Sequence, residues 1–331
     1  MQNWRKALIL HPLLFEKSIV NIEEEYDMNI QELFRQKRPL FSLEVFPPKK
    51  ESDSNVETLY DTLARIAKLA PDFVSVTCGA GGSDGDKNKT VAIADHIQRQ
   101  YGILSLAHLT CITATKLDVE LALKDMLACG VGNVLVLRGD IPPETGLCAP
   151  TGYRYAEELI ADLRGQNKHL CIGAACYPEG HIECEDLVRD RERLRRKEAA
   201  GADFLVSQLF FDNDIFYRFI EQARSAGVTI PISAGVMPIL SRAQIQRMIF
   251  LCGASLPSRI IKLLHKYERN ADDLRAAGIE YAALQARDLA EHGVQGVHIY
   301  TMNRPEIAEA CANALGRPLS QNKYMKYKSE L

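Results

Sequence analysis

The sequence predicts a single (β/α)8 barrel of the TIM type, and three observations carry that prediction. Eight short β-rich runs recur along the chain, segments of helical periodicity lie between them, and 331 residues is a length that α/β barrels occupy as one domain. A strand-helix alternation repeated about eight times requires crossover connections, hence a parallel sheet. Eight such units favour closure over an open sheet. The barrel is assigned to residues 41–331, and residues 1–40 to an N-terminal extension with a lead-in helix.

The first run, "FSLEVF" (41–46), sends Phe41, Leu43 and Val45 to one face and Ser42, Glu44 and Phe46 to the other. The second face therefore carries a carboxylate beside a hydroxyl and an aromatic ring. An unpaired buried carboxylate is costly enough to mark either a partner or a site. The later runs are "FVSVT" (73–77), "LSLAHLT" (104–110), "NVLVLRG" (133–139), "LCIGAAC" (170–176), "FLVSQLF" (204–210), "ISAGVM" (232–237) and "VHIYTM" (297–302). The clearest helix is "NVETLYDTLARIAKLA" (55–70), where Leu59, Leu63 and Ile66 share one face and Asn55 is placed to cap the start. The segments "DVELALKDMLACGV", "RYAEELIADLRG", "DLVRDRERLRRKEAAGA" and "IFYRFIEQARSAGV" read as further helices closing near a glycine.

Composition narrows the function classes. A net charge of −3 gives no reason to expect a polyanion partner, and "RDRERLRRKE" (189–198) is the one basic run that could form a nucleic-acid surface. Nine scattered cysteines, an odd number without a C-x-x-C pair, point to reduced thiols in the cytoplasm. No apolar stretch approaches the roughly 18 residues of a membrane span. The opening "MQNWRKALILHPLLFEK" lacks a small-residue cleavage site, and residues 1–27 read as an extension ahead of a start-like Met28.

In a barrel of this type, inward residues at the C-terminal ends of the strands face the active site. That rule collects Glu44, Thr77, His108, Arg138 with Asp140, Tyr177, Gln208 and Arg304. Each has an ordinary structural explanation when taken alone. A mouth used only for packing would not need them together.

In this order, "FSLEVFPPK", "FVSVTCGAGGS", "AHLTC", "VLVLRGDIPP", "YPEGH", "SQLFFD" and "YTMNRPE" resemble the catalytic barrel of methylenetetrahydrofolate reductase, a flavoprotein family. The resemblance runs from Phe41 to the C-terminus. It implies Glu44 as general acid, Asp140 between flavin and folate, Gln208 on the pterin ring, and Gln244 and Arg304 as further folate contacts. It implies flavin contacts at Thr77, His108, Arg138, Gly139, Asp140, Tyr155, Ala156, Tyr177 and His181. The helix after strand five would add Asp190, Arg193, Arg196 and Lys197, whose cations suit a pyrophosphate. Arg189, Arg191 and Arg195 are expected on a solvated face with i,i+4 ion pairs.

The resemblance further implies FAD, with FMN as the alternative, NADH as electron donor, and a homo-oligomer in the cytoplasm. An iron–sulfur partner subunit is the alternative electron source, since at the position where bacterial relatives carry a stacking aromatic, a count from Gly235 reaches Met248, which packs but does not stack. A C-terminal regulatory domain and S-adenosylmethionine control are not expected. Neither is a metal, because Cys176, His181 and Cys184 match no common ligand spacing. "CGAGGSDGD" (78–86) lacks the ending of a P-loop and reads as a loop over the mouth. Other classes sharing these features are a proline dehydrogenase-like flavin barrel, a flavin-free pterin methyltransferase barrel and a non-catalytic assembly subunit.

Overall fold

The computed structural model describes residues 29–36, 38–48, 53–78, 84–112, 114–139 and 152–317. Along the chain come α1 (Ile30–Leu33), β1 (Leu40–Val45), α2 (Asp53–Ala67), β2 (Phe73–Val76), α3 (Asp84–Tyr101), β3 (Leu104–Thr110), α4 (Lys116–Ala128) and β4 (Asn133–Leu137). There follow α5 (Ala156–Gln166), β5 (Cys171–Cys176), α6 (Leu187–Ala199), β6 (Phe204–Ser207), α7 (Asn213–Ser225) and β7 (Ile232–Val236). The last elements are α8 (Arg242–Cys252), α9 (Ser258–Lys266), α10 (Ala271–Glu291), β8 (Gly296–Tyr300) and α11 (Pro305–Ala314). The eight strands close in sequence order into an all-parallel barrel, with β8 returning to pair with β1.

Strand alternation divides the core. Outward residues such as Phe41, Leu43, Val45, Val74, Val134, Val297 and Ile299 join Leu59, Leu63 and Ile66 of α2 in the large cluster between barrel and helices. Inside the N-terminal end, Leu40, Phe73, Leu106, Leu135 and Phe204 meet Ile30 and Leu33 of α1. The lead-in helix is therefore a stopper. Asn29 caps it, the Ile30 N–H donates to Asn133 Oδ1 at 3.1 Å, and Ile30 is 0% exposed. Removing each of these side chains from water contributes about 1.5–3 kcal/mol. With one end plugged by hydrocarbon, the inner polar residues gather at the other.

Some expectations need correction. Helix α2 begins at Asp53, so Asn55 lies inside its first turn and does not cap it. Residues 84–86 of the supposed mouth loop open α3, and residues 79–83 lie outside the described residues. Strands β4 and β6 stop at Leu137 and Ser207, which leaves Arg138, Gly139 and Gln208 just beyond the strands. The β7–β8 connection holds three helices, because Gly253 ends α8 in a left-handed cap with φ +66° and Pro257 precedes α9. Beneath them lies a third apolar cluster containing Leu209, Phe211, Met237, Ile239, Ile245 and Ile260.

Candidate active site

Glu44 sits near the C-terminal end of β1 with 5% of its surface exposed. Its Oε2 is 3.5 Å from Nε2 of His108 on β3 and 3.5 Å from Nε2 of His298 on β8. Each imidazole has a serine from β1 or β2 beside it. Ser42 Oγ is 2.8 Å from His298 Nδ1, and Ser75 Oγ is 2.5 Å from His108 Nε2. The register explains the arrangement, since Ser42 is the neighbour of His298 across the β1–β8 seam and Glu44 is the neighbour of Ser75 across β1–β2. His298 Nε2 is buried with no hydrogen bond of its own, so the carboxyl is the polar group it faces.

Burial pushes the His108 imidazole down to about 4, against a raising effect from Glu44. His108 is thus neutral near pH 7. Burial also pushes the Tyr300 phenol well up, and the Glu44 charge pushes it further in the same direction. The Tyr300 hydroxyl donates to Ser207 O at 2.8 Å. Gly235 makes that crossing possible: a Cβ there would lie 2.2 Å from Ser207 O and 2.9 Å from the Tyr300 ring. These groups give Glu44 a dry setting lined by buried polar side chains.

A second feature adjoins it. Arg138, Tyr155, Ala156, Tyr177, His181, Asp190, Arg193 and Lys197 line one recess between the ends of β4 and β5 and the helices α5 and α6. On α6 the set 190, 193, 194 and 197 follows the i, i+3, i+4, i+7 stripe of one helix face. Lys197 is 8% exposed, donates to Ala175 O at 2.7 Å, and lies over the Tyr177 ring at 5.7 Å. Burial holds its ammonium below the ordinary lysine range. The Arg193 guanidinium is 4.8 Å from the Tyr155 ring centroid.

Arg138 is gripped from outside by Glu183, with two bonds of 2.6 Å each. That hydrogen bond raises the arginine pKa and lowers the carboxylate's. The Arg138 Nε is buried and has no partner. The Glu183 N–H donates to His181 Nδ1 at 3.1 Å, which leaves Nε2 to carry the proton of a neutral His181 ring. Burial, followed by the Arg138 charge, lowers the His181 pKa. An unpartnered guanidinium N–H, a buried ammonium and aromatic faces in one recess fit a cofactor that carries both a ring system and phosphates.

The remaining sequence-predicted residues are placed as follows. Thr77 is half-buried just past β2, its N–H donating to Val45 O and its carbonyl accepting from Thr90 Oγ1. Gly139 takes φ +83° beside Thr110 and Ile112. Asp140 lies outside the described residues. Gln208 accepts from the Leu209 N–H, while Gln244 accepts from the Leu240 N–H and donates to Pro238 O. Arg304 precedes α11 with Nη1 3.5 Å from Glu306. Arg196 is exposed and lines a separate groove between α6 and α7, with Arg195, Glu221 and Gln222, away from the recess. Met248 is half-buried against the third apolar cluster.

Arg191 departs from expectation. It is buried, bonds to Asp190 and to the carbonyls of Tyr177 and Pro178, and stacks on Phe219 at 4.7 Å. It holds the β5–α6 loop and is no part of a solvated face. Sequence reasoning also passed over His298, Tyr300, Ser75 and Glu183. The inward alternation of "VHIYTM" would have picked out the first two.

The sequence comparisons agree on one family. The sequence profile described as methylenetetrahydrofolate reductase matches residues 29–316. The chain is 33% identical over 286 residues to methylenetetrahydrofolate reductase (NADH) 1 of Arabidopsis thaliana, covering 83% of this chain and 48% of that protein. It is 31% identical over 278 residues to the 5,10-methylenetetrahydrofolate reductase of Salmonella typhimurium, covering 83% and 90%. The chain thus spans about half the length of the plant and yeast relatives it matches. Among solved structures, a Clostridium thermocellum protein described as binding two copies of 5-methyl-5,6,7,8-tetrahydrofolic acid aligns with a TM-score of 0.64 at 15% identity, covering 86% of this chain and 96% of its own, a likeness of fold.

Proposed function

The chain belongs to the methylenetetrahydrofolate reductase family, and from that premise we propose that it reduces 5,10-methylenetetrahydrofolate to 5-methyltetrahydrofolate with a bound flavin, Glu44 serving as proton donor. The observation that carries this reading is the buried Glu44 carboxyl, set between two imidazoles at the barrel mouth. The bridging methylene of the substrate becomes electrophilic only when its leaving ring nitrogen is protonated and the five-membered ring opens to an iminium. A positioned carboxylic acid does this, and such general acid catalysis typically contributes about 10²–10⁴-fold.

Flavin, when bound, supplies the hydride chemistry that side chains lack. The recess supports it through the unpartnered Arg138 Nε and through the Lys197 and Arg193 cations. Tyr155, Tyr177 and His181 offer ring faces beside those cations. Thr77, His108 and Gly139 are the further flavin contacts of this proposal. Asp140 takes the role of stabilising positive charge on the opening substrate. Gln208 holds the pterin, and Gln244 and Arg304 contact the rest of the folate. FAD is the cofactor proposed, with FMN the alternative, and NADH the donor, in a cytoplasmic homo-oligomer. Among the described residues, no helix is long and apolar enough to cross a membrane.

The test is a visible spectrum of the purified protein under anaerobic conditions. Flavin absorption that bleaches with NADH and returns on addition of methylenetetrahydrofolate supports the reading. A protein that takes up no flavin, or whose colour does not return with the folate, overturns it.

A further inference from the structure

Met302 and Asn303, consecutive residues just past β8, both hold φ at +54°. The left-handed region costs a non-glycine residue about 1–2 kcal/mol, less for Asn, and such residues persist where their surroundings fix them. Here the turn is closed by the Arg304 N–H to Thr301 O at 2.9 Å and by the Asn303 N–H to Thr301 Oγ1 at 3.3 Å. Its result is a reach across the β8–β1 seam. Asn303 Oδ1 accepts from the Phe46 N–H at 2.8 Å, and Asn303 Nδ2 donates to Phe46 O at 2.7 Å. Thr301 Oγ1 donates to Glu44 O at 2.5 Å.

The strand register between β1 and β8 ends at the pair Glu44 and Tyr300. Beyond that pair, these side chains take over the pairing that backbone would otherwise provide, gripping the chain at Glu44 and again two residues later. We propose that Asn303, with Thr301, is a positioning residue that fixes the height and direction of the Glu44 carboxyl at the mouth. The inference rests on the proposed role of Glu44 as proton donor. Both polar atoms of the Asn303 amide bind Phe46, so its effect on chemistry passes through β1. The competing explanation is that Asn stands there only because it tolerates a left-handed backbone.

Glycine separates the two. It adopts positive φ more easily than Asn but carries no amide. In the flavin-loaded protein, rapid mixing measures reduction of the flavin by its donor and reoxidation by methylenetetrahydrofolate as separate half-reactions. Asn303→Gly is expected to slow reoxidation by roughly 10- to 100-fold, the scale of an ångström-sized misplacement, while flavin reduction, flavin content and folate affinity stay near wild type. Asn303→Asp keeps the acceptor for the Phe46 N–H and should fall between. Glu44→Gln is the reference. If Glu44→Gln is slow but Asn303→Gly is as fast as wild type, the positioning role is wrong. Normal reoxidation by Glu44→Gln removes the donor assignment and the proposal together. Should Asn303→Gly not fold, Thr301→Val removes the bond to Glu44 O and carries the same test: selective slowing supports the proposal, and wild-type rates overturn it.

Discussion

Lowering the pH from 7 to 5 is expected to destabilise the protein through His108, and replacing that residue should remove the effect. The imidazole is pushed from 6.5 down to about 4, first by burial, with Glu44 opposing and His298 adding to the shift. Because the folded value is depressed, the unfolded chain binds the extra proton between these two values. The stabilising contribution is complete above 6.5 and is lost as pH falls toward 4. A gap of about 2.5 units at 1.36 kcal/mol each gives about 3 kcal/mol in all, of which about 2 kcal/mol disappears between pH 7 and 5. Urea unfolding of wild type and His108→Gln, in the same flavin state at each pH, isolates this contribution from the other titrating groups. The difference between the two proteins should shrink by about 2 kcal/mol over that range. Parallel stability curves for the two proteins would show that His108 protonates normally in the folded state and that the dry setting described for Glu44 is wrong.

The two cations paired in the sequence should behave differently. Lys197→Met should weaken flavin binding at least roughly tenfold without lowering the stability of the flavin-free protein, since a buried charge is costly to hold; Arg196→Ala should leave flavin binding unchanged, and fluorescence titration of flavin measures both. Glu183→Ala frees Arg138 from its outer clamp. The pair is partly exposed, so stability should change by less than about 1 kcal/mol, whereas flavin should dissociate several-fold faster; equal dissociation rates would deny the clamp any role in the recess.

The barrel was legible because strand and helix periods differ and because the alternation repeats to closure. Glu44 was legible for a related reason: on a strand whose other face is apolar, a carboxylate on the inner face stands out. Its partners were not. Ser42 and His298 are 256 positions apart, and Arg138 and Glu183 are 45 apart. Only barrel closure and the folding back of the β5–α6 loop bring them together. On α6 the motif named the residues, but the angle of each around the helix decides its role. Asp190, Arg193 and Lys197 share the inner stripe, Arg191 turns under the β5–α6 loop, and Arg196 points to the outer groove. A rotation of 100° per residue contains that distinction, so the difference between Arg196 and Lys197 could have been drawn from spacing alone. The three helices after β7 were harder, because α8, α9 and the start of α10 serve a local cluster, and only the later part of α10, with Ala282, Ala286 and Leu289, reaches the main core.

The central claim is that Glu44 gives up the proton that opens the folate ring. Glu44→Gln keeps the shape of the side chain and much of its hydrogen bonding while removing that proton. Rapid-mixing spectroscopy of the flavin-loaded variant should show reduction by the electron donor at the wild-type rate and reoxidation by methylenetetrahydrofolate slowed by at least about 10²-fold. Reoxidation at near the wild-type rate would make Glu44 a structural carboxyl and contradict the account.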